Sequence, residues 1–178
     1  NMLQVHNPKS YLSNELIFYS ETREEAIRRY REEPAVLLTT ILNSAIVNHN
    51  PEEARILLEA GPDINMPHTQ GSLTRPPIII ASQYGQGWMI DELLKLGADV
   101  NIQDMYGNTA LHYACQQRFE TAQDICEFLL DRGARIGVVA GRLGITPLHL
   151  AIKSKNIPLA MFLLERGAPI DTKTFSIR

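Results

Sequence analysis

The sequence has little of what marks secreted, membrane-spanning or nucleic-acid-binding proteins. Two cysteines in 178 residues do not make a disulfide framework, and no Asn-x-Ser/Thr glycosylation site is present. No apolar run reaches the roughly 18 residues that a bilayer-spanning helix needs, and no secretory signal peptide heads the chain. A formal net charge of −3 lacks the basic excess that attracts nucleic acid. We therefore expect an intracellular, cytoplasmic protein that neither inserts into a membrane nor binds nucleic acid.

Signatures of catalysis and of cofactor binding are missing as well. We find no Gly-x-Gly-x-x-Gly or Walker motif after a predicted strand and no Gly-x-Ser-x-Gly elbow. The nearest approach to a metal site is His112-x-x-Cys115, with Cys126 on a facing helix. Zinc needs three or four ligands at spacings that this sequence lacks, so an inert, buried Cys115 is the better interpretation. We expect no catalytic residue, no cofactor and no metal in this chain.

What the sequence does contain is a repeated unit, clearest between Gly144 and Gly167. The unit opens with Thr-Pro-Leu-His at 146–149, continues to Ala151 and a leucine pair at 163–164, and closes at Gly167. Pro147 suits the first turn of a helix, where its missing N–H costs nothing. Gly167 suits the left-handed residue that ends a helix. The unit therefore predicts two short helices in succession.

The alanine and the leucine pair recur in three earlier segments of the chain. The step from the alanine to the first leucine is 12 residues from Ala45, Ala81 and Ala151, and 15 residues from Ala114. The extra residues fall around 69–74, 118–121 and 137–141, which are connections between predicted helices. Added length costs little in a loop, so the insertions support the alignment rather than weaken it.

This pattern resembles the ankyrin repeat. The resemblance implies an all-α solenoid of helix-turn-helix repeats with β-hairpin loops, spanning 34–178 as repeats at about 34–66, 67–102, 103–139 and 140–172. A short helix at 16–18 and a capping box at 22–25 predict an N-terminal helical cap over 1–33. The last predicted helix is apolar and no polar capping repeat follows it. We therefore expect the array, or another domain, to continue beyond Arg178.

The resemblance also implies a protein-binding module that holds another protein on the concave face of hairpins and inner helices. His112 and His149 stand at the tetrad position, which implies structural hydrogen bonding rather than catalysis. Contact positions flank the hairpin glycine and the exposed end of the inner helix. Carried over to this sequence, they are Gln83, Tyr84, Gln103, Met105, Tyr106, Asn108, Gln116, Gln117, Arg142, Leu143, Ile145, Lys153 and Ser154.

Two alternatives stand beside this interpretation. The array could be the targeting or regulatory part of a larger enzyme whose catalytic domain lies outside this chain. It could also be a scaffold that assembles with itself through its apolar C-terminal end, although we expect a monomer.

Overall fold

The computed structural model describes residues 22–66, 75–117 and 121–170, and within them the regular structure is helical. The helices are α1 Arg23–Arg31, α2 Ala35–Val47, α3 Pro51–Ala60, α4 Pro77–Gln83, α5 Gly87–Lys95, α6 Ala110–Gln116, α7 Ala122–Asp131, α8 Pro147–Lys153 and α9 Ile157–Glu165. In the described ranges, extended pairing is limited to one antiparallel bridge between Ala140 and Ile145. The helix expected at 16–18 and most of the insertions at 69–74 and 118–121 lie outside the described residues.

The first helix, α1, begins at the predicted capping box. The Thr22 hydroxyl accepts a hydrogen bond from the Glu25 backbone N–H at 3.3 Å, and the Thr22 N–H donates to the Glu25 carboxylate at 2.8 Å. The helix packs against α3, with Tyr30 buried and its hydroxyl donating to Glu53 at 3.3 Å. The helix stops at Arg31, and Pro34 lies immediately before α2. The division between a cap over 1–33 and the array stays a prediction.

The remaining helices form four successive pairs, α2–α3, α4–α5, α6–α7 and α8–α9, which we call the first to fourth helix pairs. The inner helices α2, α4, α6 and α8 pack side by side in that order. Each inner helix buries the predicted alanine, because a methyl group lets neighbouring backbones approach closely. Each outer helix buries the first leucine of its pair. These residues, all at most 1% exposed, are Ala45, Ala81, Ala114, Ala151, Leu57, Leu93, Leu129 and Leu163.

Asparagine side chains link consecutive helix pairs at the loops that follow the outer helices. Asn65 donates from its side-chain amide to the Gly97 carbonyl at 2.8 Å and accepts from the Asp99 N–H at 2.8 Å. Asn101 makes the same two bonds one pair further on, to the Gly133 carbonyl at 3.0 Å and from the Arg135 N–H at 2.8 Å. We call each such pair of hydrogen bonds from one asparagine side chain an asparagine bracket.

The asparagine bracket is absent between the third and fourth helix pairs. Gly137 stands at the position of Asn65 and Asn101, and Pro169 stands where Asp99 and Arg135 donate their N–H. Proline has no N–H to donate, so an asparagine at 137 would gain no such bond. The Pro169 ring instead packs on Gly137, where an added Cβ would lie 3.2 Å from Pro169 Cγ. Gly137 and Pro169 thus replace a polar link with a packed one.

The tetrad position carries a second kind of link, made by the inner helices. The His112 ring accepts from the Thr109 N–H through Nδ1 at 3.2 Å, so Nε2 carries the hydrogen and donates to the Ile145 carbonyl at 3.2 Å. Asn43 occupies the same position in α2, and its amide donates to the Arg75 carbonyl at 2.8 Å. Ile79 occupies it in α4 and can form no such bond. The structural role expected for His112 is confirmed.

Candidate interaction surface

Asp104 organises the hairpin tip that precedes α6. The carboxylate is buried, and its Oδ1 accepts from the backbone N–H of Tyr106 at 2.9 Å and of Asn108 at 2.8 Å. The Asp104 N–H donates to the Asn108 carbonyl at 2.9 Å, which closes the loop. Because one carboxylate holds the backbone on both sides of the tip, Met105 and Tyr106 are fixed at its end with their side chains exposed.

A second set of contacts ties this tip to the neighbouring inner helices. The Tyr113 hydroxyl of α6 donates to Asp104 Oδ2 at 2.8 Å. Burial, followed by the bond to Asp104, raises the pKa of Tyr113 to about 12, so the hydroxyl stays a donor at neutral pH. The Arg75 guanidinium lies 5.4 Å from the centre of the Tyr113 ring and donates to the Gln83 side chain at 2.6 Å. Sequence reasoning singled out Gln83, and Arg75 as part of a wall beside the same groove, but gave Tyr113 no role.

The next hairpin tip, before α8, is attached directly to the first. The Gly141 N–H donates to the Tyr106 carbonyl at 2.7 Å. Within the second tip, Ala140 and Ile145 exchange backbone hydrogen bonds of 2.7 and 2.9 Å. Gly141 and Gly144 both adopt φ of 64°, a left-handed conformation that suits glycine, and Arg142 and Leu143 lie between them.

The two joined tips present four apolar side chains to solvent. Met105 is 56% exposed, Tyr106 62%, Val139 52% and Leu143 48%. We call these four residues the tip cluster. Sequence reasoning selected Met105, Tyr106 and Leu143 but missed Val139, because residues 137–141 were interpreted only as an insertion. The signal that could have found it is a valine pair inside a polar, glycine-rich connection.

The other residues selected from the sequence have mixed surroundings. Ile145, expected on the exposed tip, is instead half-buried against the core, because its backbone pairs with Ala140 and His112. Tyr84 is also half-buried, in edge contact with His49 at 6.2 Å between ring centres. Gln117 and Asn108 are half-buried. The exposed members outside the tip cluster are Gln103, Gln116, Arg142 and Lys153.

The residues considered for a metal site contact other groups inside the protein. Both His112 nitrogens are hydrogen-bonded inside the protein. Cys115 and Cys126 are buried free thiols whose sulfurs lie 3.6 Å apart. The hydrogen bond between the Cys115 and Cys126 thiols, followed by burial, holds the pKa of Cys115 above its ordinary value. The described part of the chain contains no group of three potential ligands, and none of its helices is long and apolar enough to cross a membrane.

Comparison with known proteins identifies the family. The model for ankyrin repeats in three copies matches residues 42–140 and 78–174, which together cover well over half of the sequence. The chain therefore belongs to the ankyrin-repeat family, and the all-α solenoid expected from the sequence is confirmed. An ankyrin-repeat domain is a non-catalytic protein-interaction module, and this is the function of the described helix pairs.

Relatives with long chains share this module. The chain is 27% identical over 172 residues to the nuclear factor NF-kappa-B p105 subunit of Gallus gallus, covering 76% of this chain and 18% of that protein. It is 35% identical over 91 residues to the palmitoyltransferase Hip14 of Drosophila melanogaster, covering 51% and 14%. It is 29% identical over 142 residues to rabankyrin-5 of Mus musculus, covering 75% and 12%. The chain thus spans less than a fifth of each of these relatives.

Proposed function

We propose that this interaction module holds its partner protein at the tip cluster, with Tyr106 at the centre of the contact. The observation that carries the proposal is the exposure of four large apolar side chains on two hairpin tips that are joined through the Tyr106 carbonyl. Several large apolar side chains exposed on two adjoining loops are uncommon on a protein surface that no partner covers. Tyrosine and methionine are also enriched at interfaces.

Rigidity of the tips supports the same proposal. Asp104 fixes the first tip by three strong hydrogen bonds, to Tyr106, Asn108 and Tyr113. A loop whose backbone is already held in place loses less conformational entropy when a partner binds. The exposed hairpin residues Gln103 and Arg142 and the exposed inner-helix residues Gln116 and Lys153 extend the proposed contact beyond the tip cluster. Gln83, Tyr84, Asn108, Gln117 and Ile145 remain in it only at their exposed edges.

The test is alanine substitution in a purified complex, after the partner has been captured with this chain and identified. Tyr106→Ala is expected to raise the dissociation constant at least about thirtyfold, since a buried tyrosine anchor contributes about 2 kcal/mol or more. Isothermal titration calorimetry measures the change. Thermal melting of each variant separates loss of binding from loss of folding.

The chain supplies matched controls for the other members of the tip cluster. Met105→Ala pairs with Met161→Ala, Leu143→Ala with Leu96→Ala, and Val139→Ala with Val36→Ala, each control being similarly exposed but outside the tips. The tip variants are expected to weaken binding and the controls to leave it unchanged. A neutral Tyr106→Ala, with losses at the controls instead, would place the contact on another face.

We further propose that the chain acts inside the cell, as a monomer without catalytic activity or nucleic-acid binding. The net charge of −3 and two free, buried thiols support these assignments. The alternative, a regulatory domain of a larger enzyme, is favoured by one observation: the match to the palmitoyltransferase Hip14 covers only 14% of that protein. The sequence of the full-length protein would decide between a free module and such a domain.

A further inference from the structure

The charges of the second to fourth helix pairs are divided between two sides of the array. Among the described residues, the acidic side chains of the outer helices are Asp91, Glu92, Asp124, Glu127, Asp131 and Glu165. The inner helices with their hairpins, at 75–86, 102–117 and 138–156, carry the basic residues Arg75, Arg142, Lys153 and Lys155. The single carboxylate in those three segments is Asp104.

Asp104 does little to offset these basic charges at the surface. Its side chain is buried, and both oxygens are occupied by the bonds from Tyr106, Asn108 and Tyr113. Arg75 contacts a neutral amide and an aromatic ring rather than a carboxylate. Arg142, Lys153 and Lys155 are exposed and make no ion pair within the described ranges. By contrast, Lys95, Arg132 and Arg166 on the outer side are each paired with carboxylates.

The unpaired basic residues lie at both ends of the fourth inner helix. Arg142 belongs to the tip whose Gly141 N–H contacts the Tyr106 carbonyl. Lys153 ends α8, and Ser154 beside it donates to the Gln116 carbonyl of α6 at 3.3 Å. The lysines therefore lie next to the far end of the third inner helix, and the tip cluster lies at the near end. Basic charge and apolar surface occupy one continuous side.

Lys155 adopts a left-handed backbone conformation in the turn after α8, at a position where a glycine would serve as well. Its φ is 58°, in the left-handed region, and the corresponding turn after α4 uses Gly85 with φ of 69°. A non-glycine residue at such a position is conformationally costly, and His49 adopts the same conformation after α2 with φ of 53°. Lys155 thus keeps its ammonium group where glycine would fit with less strain.

We propose that the partner contacts this side through a linear acidic segment that carries a large apolar side chain. This inference rests on the proposed function and specifies its ligand: the apolar residue occupies the tip cluster, and carboxylates face Arg142 at one end and Lys153 and Lys155 at the other. Charge complementarity of this kind sets which partner binds and how fast it associates.

The geometry also gives the spacing within the segment. Helix α8 has seven residues and is therefore about 10 Å long. The tip cluster lies beyond the start of α8, so this length is a lower limit. An extended peptide rises about 3.3 Å per residue, so the apolar residue and the carboxylates facing the lysines are separated by at least about three positions. A protein segment fits better than a nucleic acid because the surface combines few cations with four apolar side chains, and the whole chain is acidic.

The experiment selects ligands from a phage-displayed library of random linear peptides against the folded chain. We expect enrichment of peptides with one aromatic or large aliphatic residue and an Asp or Glu at least about three positions away. Synthetic versions of the selected peptides are then titrated by fluorescence anisotropy. Arg142→Glu and Lys153→Glu are expected to weaken binding at least about tenfold each, since like charges repel at an interface. Arg55→Glu on the outer helix α3, with the same change in net charge, is the matched control.

Lys155→Gly separates a binding role from a structural one. Glycine relieves the left-handed strain, so this variant should melt no lower than the parent while its affinity for the acidic peptide falls. Raising the salt concentration should weaken binding to the parent more than to the Lys153→Glu variant.

Four outcomes would overturn the inference. If the selected peptides are neutral or basic and their binding still depends on Tyr106, the partner segment is not acidic, although the tip cluster remains the binding site. Selected peptides indifferent to Tyr106→Ala would remove the proposed function as well. Failure to enrich any linear peptide would contradict the linear segment. Tighter binding of oligothymidylate than of the selected peptides would replace the protein partner with a nucleic acid.

Discussion

Both nitrogens of the His112 ring are engaged with other groups inside the protein. Nδ1 accepts from Thr109, and Nε2 donates to the Ile145 carbonyl of the next helix pair. A neutral ring fits these bonds, whereas a protonated ring would place a second hydrogen against the Thr109 N–H. Burial, the largest cause, lowers the pKa of His112 below its ordinary value of 6.5.

This shift predicts a loss of stability in mild acid. In the unfolded chain His112 takes up a proton near pH 6.5, but the folded chain resists until a lower pH. The contribution of His112 to the free energy of unfolding is therefore fully present above pH 6.5 and decreases as the pH falls below that value. Urea unfolding across this range measures the slope. In His112→Gln, whose amide still donates but does not titrate, the slope should be smaller than in the parent. Equal slopes in His112→Gln and the parent would contradict the assignment.

The packed contact between Gly137 and Pro169 predicts a coupled pair of substitutions. Gly137→Asn should destabilise the protein by about 1–2 kcal/mol, because a Cβ there already lies 3.2 Å from Pro169 Cγ. Pro169→Arg supplies an N–H, so the double variant Gly137→Asn, Pro169→Arg should recover much of that loss by forming an asparagine bracket. A double-mutant cycle of unfolding free energies measures the coupling. Additive effects would mean that the bracket does not form.

The sequence predicted some of these residue roles and not others. Thr109 and His112, like Thr146 and His149, match a repeated tetrad, so their capping bonds could be anticipated. Asn43, like His112, donates a side-chain hydrogen bond to the next helix pair, but it does not match the residue that the repeat has at this position, so the sequence did not indicate its role. The Gly137–Pro169 contact joins residues far apart in sequence. Its chemistry becomes clear only once the two loops are aligned in space.

At the scale of elements, each outer helix completely buries the first leucine of its pair. Leu163→Ala should destabilise the protein by roughly 2–5 kcal/mol, the usual range for a buried leucine, because its side chain is 0% exposed in α9. Urea unfolding gives the value, and Leu96→Ala, at an exposed position, should cost less than about 0.5 kcal/mol. A loss below about 1 kcal/mol for Leu163→Ala would show that α9 is poorly packed.

Helices were easier to predict than the loops between them. Helix starts at Pro51, Pro147 and Thr22 followed from capping chemistry, which involves residues within one turn. The hairpin tips depend instead on Asp104, which reaches Tyr113 nine residues away. That bond forms only after α6 has folded beside the tip, so a local pattern could not reveal it.

At the scale of the whole molecule, the C-terminal helix pair carries a second apolar surface. Ile152, Ile157, Met161 and Ile170 are all more than half exposed. A symmetric dimer through this surface would bring Lys153 and Lys155 of both copies near each other, because two-fold contacts match a patch with itself. We therefore expect light scattering to give the monomer mass of 20.0 kDa. A doubled mass that Ile157→Glu returns to 20.0 kDa would support self-assembly instead.

The overall architecture could be predicted because the repeat imposes the same buried residues four times. Ala114 and Leu129 lie where their counterparts in the other pairs lie, even though three residues more separate them. The partner surface was harder, because it depends on exposure and on contacts between tips. Tyr106 could be selected from its position, but its bond to Gly141 and the exposure of Val139 required the folded chain.

The asparagine brackets have a consequence for measuring how the array opens. The backbone amides of Asp99 and Arg135 belong to exposed residues, yet each is bonded to an asparagine from the preceding loop. Their deuterium uptake should be slow, and each should report on one junction, Asp99 on the first and Arg135 on the second. The third junction has Pro169 at the corresponding position and so gives no amide signal. Amide exchange at Asp99 and at Arg135 thus measures how often the helix pairs on either side of the first and of the second junction separate.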